Sequence, residues 1–154
     1  MPSVGGKPPP IVLPDQNGNI QTVSFVGGWT LIYFYPKDDT PGCTQEACAI
    51  RDDFELFRTL GITVYGVSTD SVKSHQKFAE KYELPFTLLA DAKKEVVERY
   101  GVWGEKKFMG RTYNGTRRTS FLINPKGIIE KVYEAVKPRE HAEEVLADVK
   151  KLVQ

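Results

Sequence analysis

Two nearly continuous apolar runs constrain this chain more than any other feature of its sequence. They cover residues 29–35 (WTLIYFY) and 62–67 (ITVYGV). Apolar runs of this length without polar alternation are typical of strands that are buried on both faces. Between them, residues 44–60 carry apolar side chains at helical spacing: Ala47, Ile50, Phe54 and Phe57. A strand, a helix and a second strand predict a βαβ unit, in which parallel strands are joined by a right-handed crossover.

The remaining patterns extend this unit into a larger sheet. Two pairs of short apolar segments, each joined by turn residues, predict hairpins at 11–23 and at 119–132. Three further helices are predicted, at 71–82, at 93–100 and from 142 to 152. The sequence therefore predicts an α/β fold with a central mixed β-sheet, helices on both faces and an N-terminal β-hairpin. This class includes the thioredoxin-like arrangement.

The chain is expected to form a single domain over residues 1–154, because it has no internal repeat and no change of composition. Residues 1–9 are rich in glycine and proline and are expected to form an extended, poorly ordered arm. A domain of this size buries roughly 68–70% of the surface of its unfolded chain, so it needs no disulfide to hold its core together.

Charge and hydropathy exclude several classes of partner. The formal net charge of +1 provides no bulk attraction for nucleic acid. No apolar run approaches the roughly 20 residues needed to cross a bilayer, so no membrane association is expected. The N-terminus lacks the pattern of a signal peptide, which favours a cytoplasmic protein. In that reducing compartment, Cys43 and Cys48 are not expected to form a permanent structural disulfide.

Cys43 lies where a buried strand gives way to a helix, which is a common place for active sites in open α/β sheets. Thr40 can cap the helix, and Pro41 suits its first position. Cys43 then falls in the first helical turn, where unpaired N–H groups and the helix dipole stabilise a thiolate. Because Cys43 also begins the apolar stripe of the helix, a partly apolar pocket is expected around it.

The spacing of the two cysteines argues against a bond between them in an intact helix. Five residues of helix rotate the side chain by about 500° and rise about 7.5 Å. The α-carbons of Cys43 and Cys48 then lie beyond the roughly 7 Å limit for a disulfide, so a bond requires the first helical turn to unwind. The alternative is that both cysteines are small buried hydrophobic residues. A metal site with His75 and His141 is not expected, because the two cysteines and the two histidines lie far apart in sequence without ligand spacing. Both histidines are predicted to be solvent-exposed.

Residues 36–44 (PKDDTPGCT) resemble the PxxxTxxC motif of peroxiredoxins. The next four residues, QEAC, resemble the bacterioferritin comigratory protein (peroxiredoxin Q) subfamily. Residues 84–91, 108–113 and 118–123 match further segments of that subfamily, so the resemblance covers nearly the whole chain. It implies a thioredoxin-like fold and a thiol-dependent peroxidase.

The resemblance also implies a reaction cycle. Cys43 matches the peroxidatic cysteine, which hydrogen peroxide or an alkyl hydroperoxide oxidises to a sulfenic acid. Cys48 matches the resolving cysteine, which forms an intramolecular disulfide with Cys43. Thioredoxin, or a similar dithiol such as glutaredoxin, would then reduce this disulfide. No metal, haem or flavin cofactor is implied, and a monomer is expected.

Four other residues acquire expected roles from the same resemblance. Arg118 matches the arginine that stabilises the thiolate and polarises the peroxide bond. Thr40 matches the threonine whose hydroxyl contacts both the thiolate and the peroxide. Pro36 matches the proline that shields the thiolate from solvent. The backbone N–H groups of Gly42 and Cys43 are expected to donate to the bound peroxide.

Other interpretations of these segments stay open at this point. A protein disulfide exchanger would normally carry CxxC, and a redox sensor or holdase-like protein would show no accelerated oxidation of Cys43. The basic residues near 105–118 are expected in one long loop beside the active site, with a phosphate or nucleic-acid patch as the alternative: Lys106, Lys107, Arg111, Arg117 and Arg118. Arg117 is expected to be solvated. Trp103 and Phe108 are expected to pack, and Asp38 and Asp39 to form a turn.

Overall fold

The computed structural model describes residues 1–154 and contains nine strands and five helices. The strands are β1 (Val12–Pro14), β2 (Ile20–Thr22), β3 (Trp29–Phe34), β4 (Ile62–Ser68), β5 (Thr87–Ala90), β6 (Trp103–Phe108), β7 (Arg111–Thr116), β8 (Thr119–Ile123) and β9 (Ile129–Tyr133). The helices are α1 (Pro41–Asp52), α2 (Phe54–Thr59), α3 (Val72–Tyr82), α4 (Glu95–Arg99) and α5 (His141–Leu152).

The central sheet has five strands in the order β5-β4-β3-β8-β9. Strands β3 and β4 are parallel and pair from Trp29 with Ile62 to Phe34 with Val67, so the predicted βαβ unit is confirmed. Strand β8 is antiparallel to β3, and β9 is antiparallel to β8. The sheet is therefore mixed, as expected.

Two hydrophobic cores cover the two faces of this sheet. Alternate residues of β3 point to opposite faces, with Leu31 in one core and Ile32 in the other. The Leu31 core includes apolar side chains from α1, α2, α3 and α5. The Ile32 core takes Val97 of α4 and Ile11 beside the N-terminal hairpin. Helices on both faces of the sheet are thus confirmed, although the face that carries the Ile32 core is covered by only one short helix, α4. None of the five helices combines the length and apolar composition required to span a lipid bilayer.

The structure differs from the sequence-based expectation at three elements. The single helix predicted over 44–60 is divided in two, because the backbone at Asp53 has a ψ of 11° and leaves the helical conformation. Strand β5 was not predicted. The expectation of one long loop at 105–118 is wrong, since β6 and β7 form an antiparallel hairpin there. Its two-residue turn has a positive φ at both Met109 (51°) and Gly110 (78°), which is the hairpin turn geometry.

The N-terminal segment lies against the domain rather than apart from it. The N–H of Gly5 donates to the carbonyl of Ile129 on the edge strand β9, and Ile129 donates back to the carbonyl of Gly6. The Tyr100 hydroxyl donates to the carbonyl of Pro9 at 2.6 Å. Gly5, Gly6 and Pro9 of the expected extended arm are therefore hydrogen-bonded to the domain. The predicted N-terminal hairpin is confirmed as β1 and β2.

Candidate active site

Cys43 is the third residue of α1 and is only 1% exposed. Thr40 is the N-cap and Pro41 the first helical residue, so the predicted start of this helix is confirmed. The N–H groups of Gly42 and Cys43 lie in the first turn, where the helix provides no carbonyl to accept them. Free N–H groups and the positive end of the helix dipole therefore lie beside the thiol.

Thr40 occupies the cap position without capping through its side chain. Its hydroxyl donates to the carbonyl of Lys37 at 2.8 Å, which tightens the turn before α1. Pro36 directly precedes this turn and is half-buried. Both residues therefore belong to the segment that leads into the Cys43 turn, and neither is hydrogen-bonded to the sulfur.

Arg118 is distant from Cys43 in sequence but is brought to it by the neighbouring strand β8. Antiparallel pairing places Thr119 opposite Phe34, so the residue before β8 lies next to the end of β3. The Nη2 group of Arg118 donates to the Cys43 sulfur at 3.5 Å. A Cβ atom added to Gly42 would lie 2.9 Å from the same Nη2 group. The absence of a side chain at Gly42 therefore gives the guanidinium room to reach the thiol.

Glu46 is a member of this site that the sequence analysis missed. Its side chain is 1% exposed, and one oxygen accepts from Arg118 Nη1 at 2.9 Å. The other oxygen has no hydrogen-bond partner. Burial raises the pKa of Glu46 to about 7, although the neighbouring Arg118 opposes this shift. Glu46 follows Cys43 by three residues, so helical spacing could have placed both on one buried face.

The guanidinium of Arg118 bridges Glu46 and Cys43. Its burial lowers the pKa of Arg118, but the negative groups at Cys43 and Glu46 outweigh this effect, and the pKa is raised. Lys106 of the β6–β7 hairpin lies near the same site and donates to the carbonyl of Thr116 at 3.0 Å. Burial lowers the pKa of Lys106, and the charge of Arg118 lowers it further. Arg118 and Lys106 therefore bring positive charge near the sulfur, and the carboxyl group of Glu46 partly offsets it.

The other basic residues in and beside the hairpin are solvent-exposed: Lys107, Arg111 and Arg117. Arg117 is exposed and contacts the backbone at Gly104, as its predicted solvation implies. Phe108 is 65% exposed, so the expectation that it packs is wrong. The reason is its place at the turn of a two-stranded hairpin, beyond either hydrophobic core.

Cys48 lies further along the same helix and is half-buried. Helix α1 is unbroken from Pro41 to Asp52, and both cysteines are free thiols. Burial raises the pKa of Cys48, and the charge of Arg51 only partly offsets it. In this structure the two sulfurs are therefore held apart on one regular helix.

Both histidines are buried, which contradicts the expectation that they are solvent-exposed. His75 is 0% and His141 1% exposed. His75 lies three residues before the buried Phe78, and His141 four before the buried Val145. Their helical spacing thus places them on inward faces, despite the charged residues beside them. His141 bonds to the Ser120 hydroxyl at 2.8 Å, and burial lowers the pKa of this histidine despite the nearby Glu144.

Asp38 and Asp39 form a turn, as expected, and Asp38 is buried in it with His75 at 2.7 Å from its carboxylate. Asp70 lies beside them, so three potential ligand atoms come within 4.8 Å of one another. Each of these atoms already bonds to a protein group. The cluster is therefore a hydrogen-bond network.

Comparison with known proteins places this geometry in a family. Residues 4–132 match the family model described as AhpC/TSA family. A putative peroxiredoxin Bcp of Coxiella burnetii is 47% identical over 144 residues, which covers 93% of this chain and 95% of that protein. The chain belongs to the AhpC/TSA family. The resemblance to peroxiredoxins of the Bcp and PrxQ type is thereby confirmed, together with the class of thiol peroxidase.

Solved structures of AhpC/TSA relatives confirm the thioredoxin-like fold. A cysteine-to-serine mutant of PrxQ from Xylella fastidiosa has a TM-score of 0.93 at 32% identity, covering 100% of this chain and 99% of its own. The bacterioferritin comigratory protein of Xanthomonas campestris, studied for alkyl peroxide reduction, has a TM-score of 0.87 at 35% identity. That match covers 94% of this chain and 92% of the Xanthomonas chain.

Proposed function

We propose that this peroxiredoxin reduces hydrogen peroxide and alkyl hydroperoxides through the thiolate of Cys43. The observation that carries the proposal is the Arg118 guanidinium, 3.5 Å from a sulfur in the first turn of a helix. In the first step the thiolate attacks one peroxide oxygen and the O–O bond breaks. The sulfur becomes a sulfenic acid, and the other oxygen leaves with a proton as water or an alcohol.

Arg118, the helix start, Thr40 and Pro36 assist this step. Arg118 stabilises the thiolate and then the negative charge that develops on the departing oxygen. The N–H groups of Gly42 and Cys43 supply further donors from the helix start. The Thr40 hydroxyl turns from the Lys37 carbonyl towards the bound peroxide, and Pro36 limits the access of water. These groups come from the loop between β3 and α1, from the first turn of α1 and from the residue before β8, which meet at Cys43.

Cys48 then resolves the sulfenic acid. Its sulfur attacks Cys43, an S–S bond forms, and the sulfenic oxygen leaves as water with the thiol proton. Because both cysteines lie on one regular helix, the first turn of α1 must unwind before the sulfurs can meet. Helix ends open at low cost, which makes this turn a suitable place for a transient bond.

A protein dithiol completes the cycle. Thioredoxin or glutaredoxin exchanges with the Cys43–Cys48 disulfide, becomes oxidised itself and returns both cysteines to thiols. We propose that the protein acts as a monomer in the cytoplasm, where such dithiols are kept reduced. The cycle uses only sulfur chemistry and no metal, haem or flavin.

Mass spectrometry after one equivalent of peroxide tests this proposal. The wild type should lose two hydrogens and yield a peptide that contains a Cys43–Cys48 bond. Cys48→Ser should stop at the sulfenic acid, which a dimedone probe traps. Cys43→Ser should consume no peroxide with a thioredoxin system, while Ser24→Ala, at an exposed residue outside the site, should behave as the wild type. Peroxidase activity that persists in Cys43→Ser would refute the proposal, as would Cys43 oxidation no faster than that of a free thiol.

A further inference from the structure

The segment that leads into the Cys43 turn is attached to helix α3 by a buried carboxylate. In this β3–α1 loop (residues 35–40), Asp38 accepts from the Tyr35 hydroxyl at 2.5 Å and from the Ser74 hydroxyl at 2.8 Å. His75 of α3 lies 2.7 Å from the same carboxylate. The N–H of Asp38 donates to Asp70, just before α3, at 2.9 Å. Four contacts therefore meet at one residue, five positions before the reactive cysteine.

Donor and acceptor chemistry shows how the central pair works. The Nε2 atom of His75 lies 2.9 Å from the carbonyl of Leu89, which can only accept, so Nε2 carries a hydrogen. A second proton must lie between Nδ1 and Asp38, because a lone pair and a carboxylate at 2.7 Å would repel. The pair thus holds one shared proton. It has no net charge, which suits a site where His75 is 0% exposed.

A second carboxylate attaches the same loop to the same helix. Asp39 accepts from Lys81 at 2.8 Å and from the Tyr82 hydroxyl at 2.6 Å. These contacts are solvent-exposed, so they hold the loop less firmly than the buried pair. Both carboxylates bind α3, and neither binds α1, the helix whose first turn must open.

We propose that the Asp38–His75 pair is a positioning device that keeps the β3–α1 loop on α3 while the first turn of α1 unwinds. This inference rests on the proposed function. A fixed loop end limits the freedom that the opened turn can gain, so the attachment makes opening less favourable. It also keeps Pro36 and Thr40 in position, so that Cys43 returns to the same surroundings after each turnover.

Loss of the attachment should therefore change two steps in opposite directions. The reaction of Cys43 with peroxide should slow several-fold, because the loop loses its fixed position. Disulfide formation should accelerate by about 5-fold to 30-fold, because freeing the backbone of about one residue favours the opened turn by such a factor. A general loss of stability has no reason to produce this opposite pair of changes.

Rapid-quench mass spectrometry can measure both rate constants, the first from its dependence on peroxide and the second at saturating peroxide. Asp38→Ala should show both changes, and Ser74→Ala, which removes one bond only, should show smaller ones in the same directions. Asp38→Asn should remain near the wild type, because its amide can accept from Tyr35 and donate to neutral His75. Val97→Ala, in the other core, is the control for lost stability.

The inference is wrong if Asp38→Ala forms the disulfide at the wild-type rate. It is also wrong if Val97→Ala, at an equal loss of unfolding free energy, reproduces both changes. A wild-type protein that forms no sulfenic acid would instead refute the proposed function, so the two failures are distinguishable.

Discussion

Gly42→Ala isolates the contact between Arg118 and Cys43 without removing either residue. The new Cβ would lie 2.9 Å from Arg118 Nη2 and 3.7 Å from Pro138. Because an ordinary contact begins at 3.4 Å, the guanidinium must retreat by about 0.5 Å. The group that must move is the end of a flexible side chain, so the fold can accept the methyl group.

The distances give the size of the effect. Opposite charges 3.5 Å apart, as between Arg118 and an ionised Cys43, attract by about 5 kcal/mol at an effective dielectric constant of about 20. An extra 0.5 Å removes about 0.6 kcal/mol, or a factor of about three in the rate constant. If the hydrogen bond breaks as well, about 2 kcal/mol and a factor of about 30 are lost. The reaction with peroxide should therefore slow between about 3-fold and about 30-fold.

Stability should not follow activity in this variant. Gly42 has a helical conformation with a negative φ, and alanine is favoured over glycine inside a helix by up to about 1 kcal/mol. The free energy of unfolding of Gly42→Ala should therefore equal or exceed that of the wild type. Urea titration of the reduced protein measures it.

A double-mutant cycle with Arg118→Ala decides whether the reasoning holds. Stopped-flow measurements of the peroxide reaction would compare the wild type, each single variant and the double variant. Gly42→Ala should slow the reaction when Arg118 is present and have little effect when it is absent. An equal slowing in both backgrounds would refute the argument, because the methyl group would then act without the guanidinium.

Three further predictions concern charge, reactivity and packing. Because burial raises the pKa of Glu46 from 4.5 to about 7, the folded protein holds a proton there that the unfolded chain releases. This contribution to stability is present below pH 4.5 and lost as the pH rises through 7, so urea titrations of Glu46→Gln should show a flatter pH dependence across that interval. Since burial raises the pKa of Cys48, iodoacetamide should alkylate Cys43→Ser more slowly than free cysteine at pH 8, and equal rates would contradict this. Phe121→Ala should cost about 3–5 kcal/mol of unfolding free energy, because Phe121 is 0% exposed and its ring lies 5.1 Å from that of Tyr100; a loss below about 1 kcal/mol would contradict it.

Local patterns were sufficient for the parts of the site that are close in sequence. The apolar runs at β3 and β4 predicted the parallel pair, and Thr40-Pro41 predicted the start of α1. Strand β5 was missed because its four residues are too few to show a clear pattern. Its pairing with β4 is what stabilises it as a strand. The hairpin of β6 and β7 was missed because its residues are mostly polar and its turn uses Met109 where a glycine or asparagine is usual.

Buried polar residues were harder to predict, because their partners come from distant segments. His75 becomes favourable inside the protein only when Asp38, 37 residues earlier, supplies a hydrogen-bond partner. Glu46 likewise depends on Arg118, 72 residues later. Helical spacing shows that both residues face inward, but it does not supply the groups that make burial acceptable.

The position of Arg118 shows which piece of information was missing. The end of β3 leads into the turn that carries Cys43. A strand parallel to β3 would begin at the opposite end of the strands. Because β8 is antiparallel to β3, its first residue, Thr119, lies opposite Phe34. Arg118, the residue just before Thr119, therefore lies at the same end of the strands as Cys43, which is 75 residues earlier in the chain. Strand order and direction are thus sufficient to bring the charge to the thiol, and hydropathy patterns do not encode them.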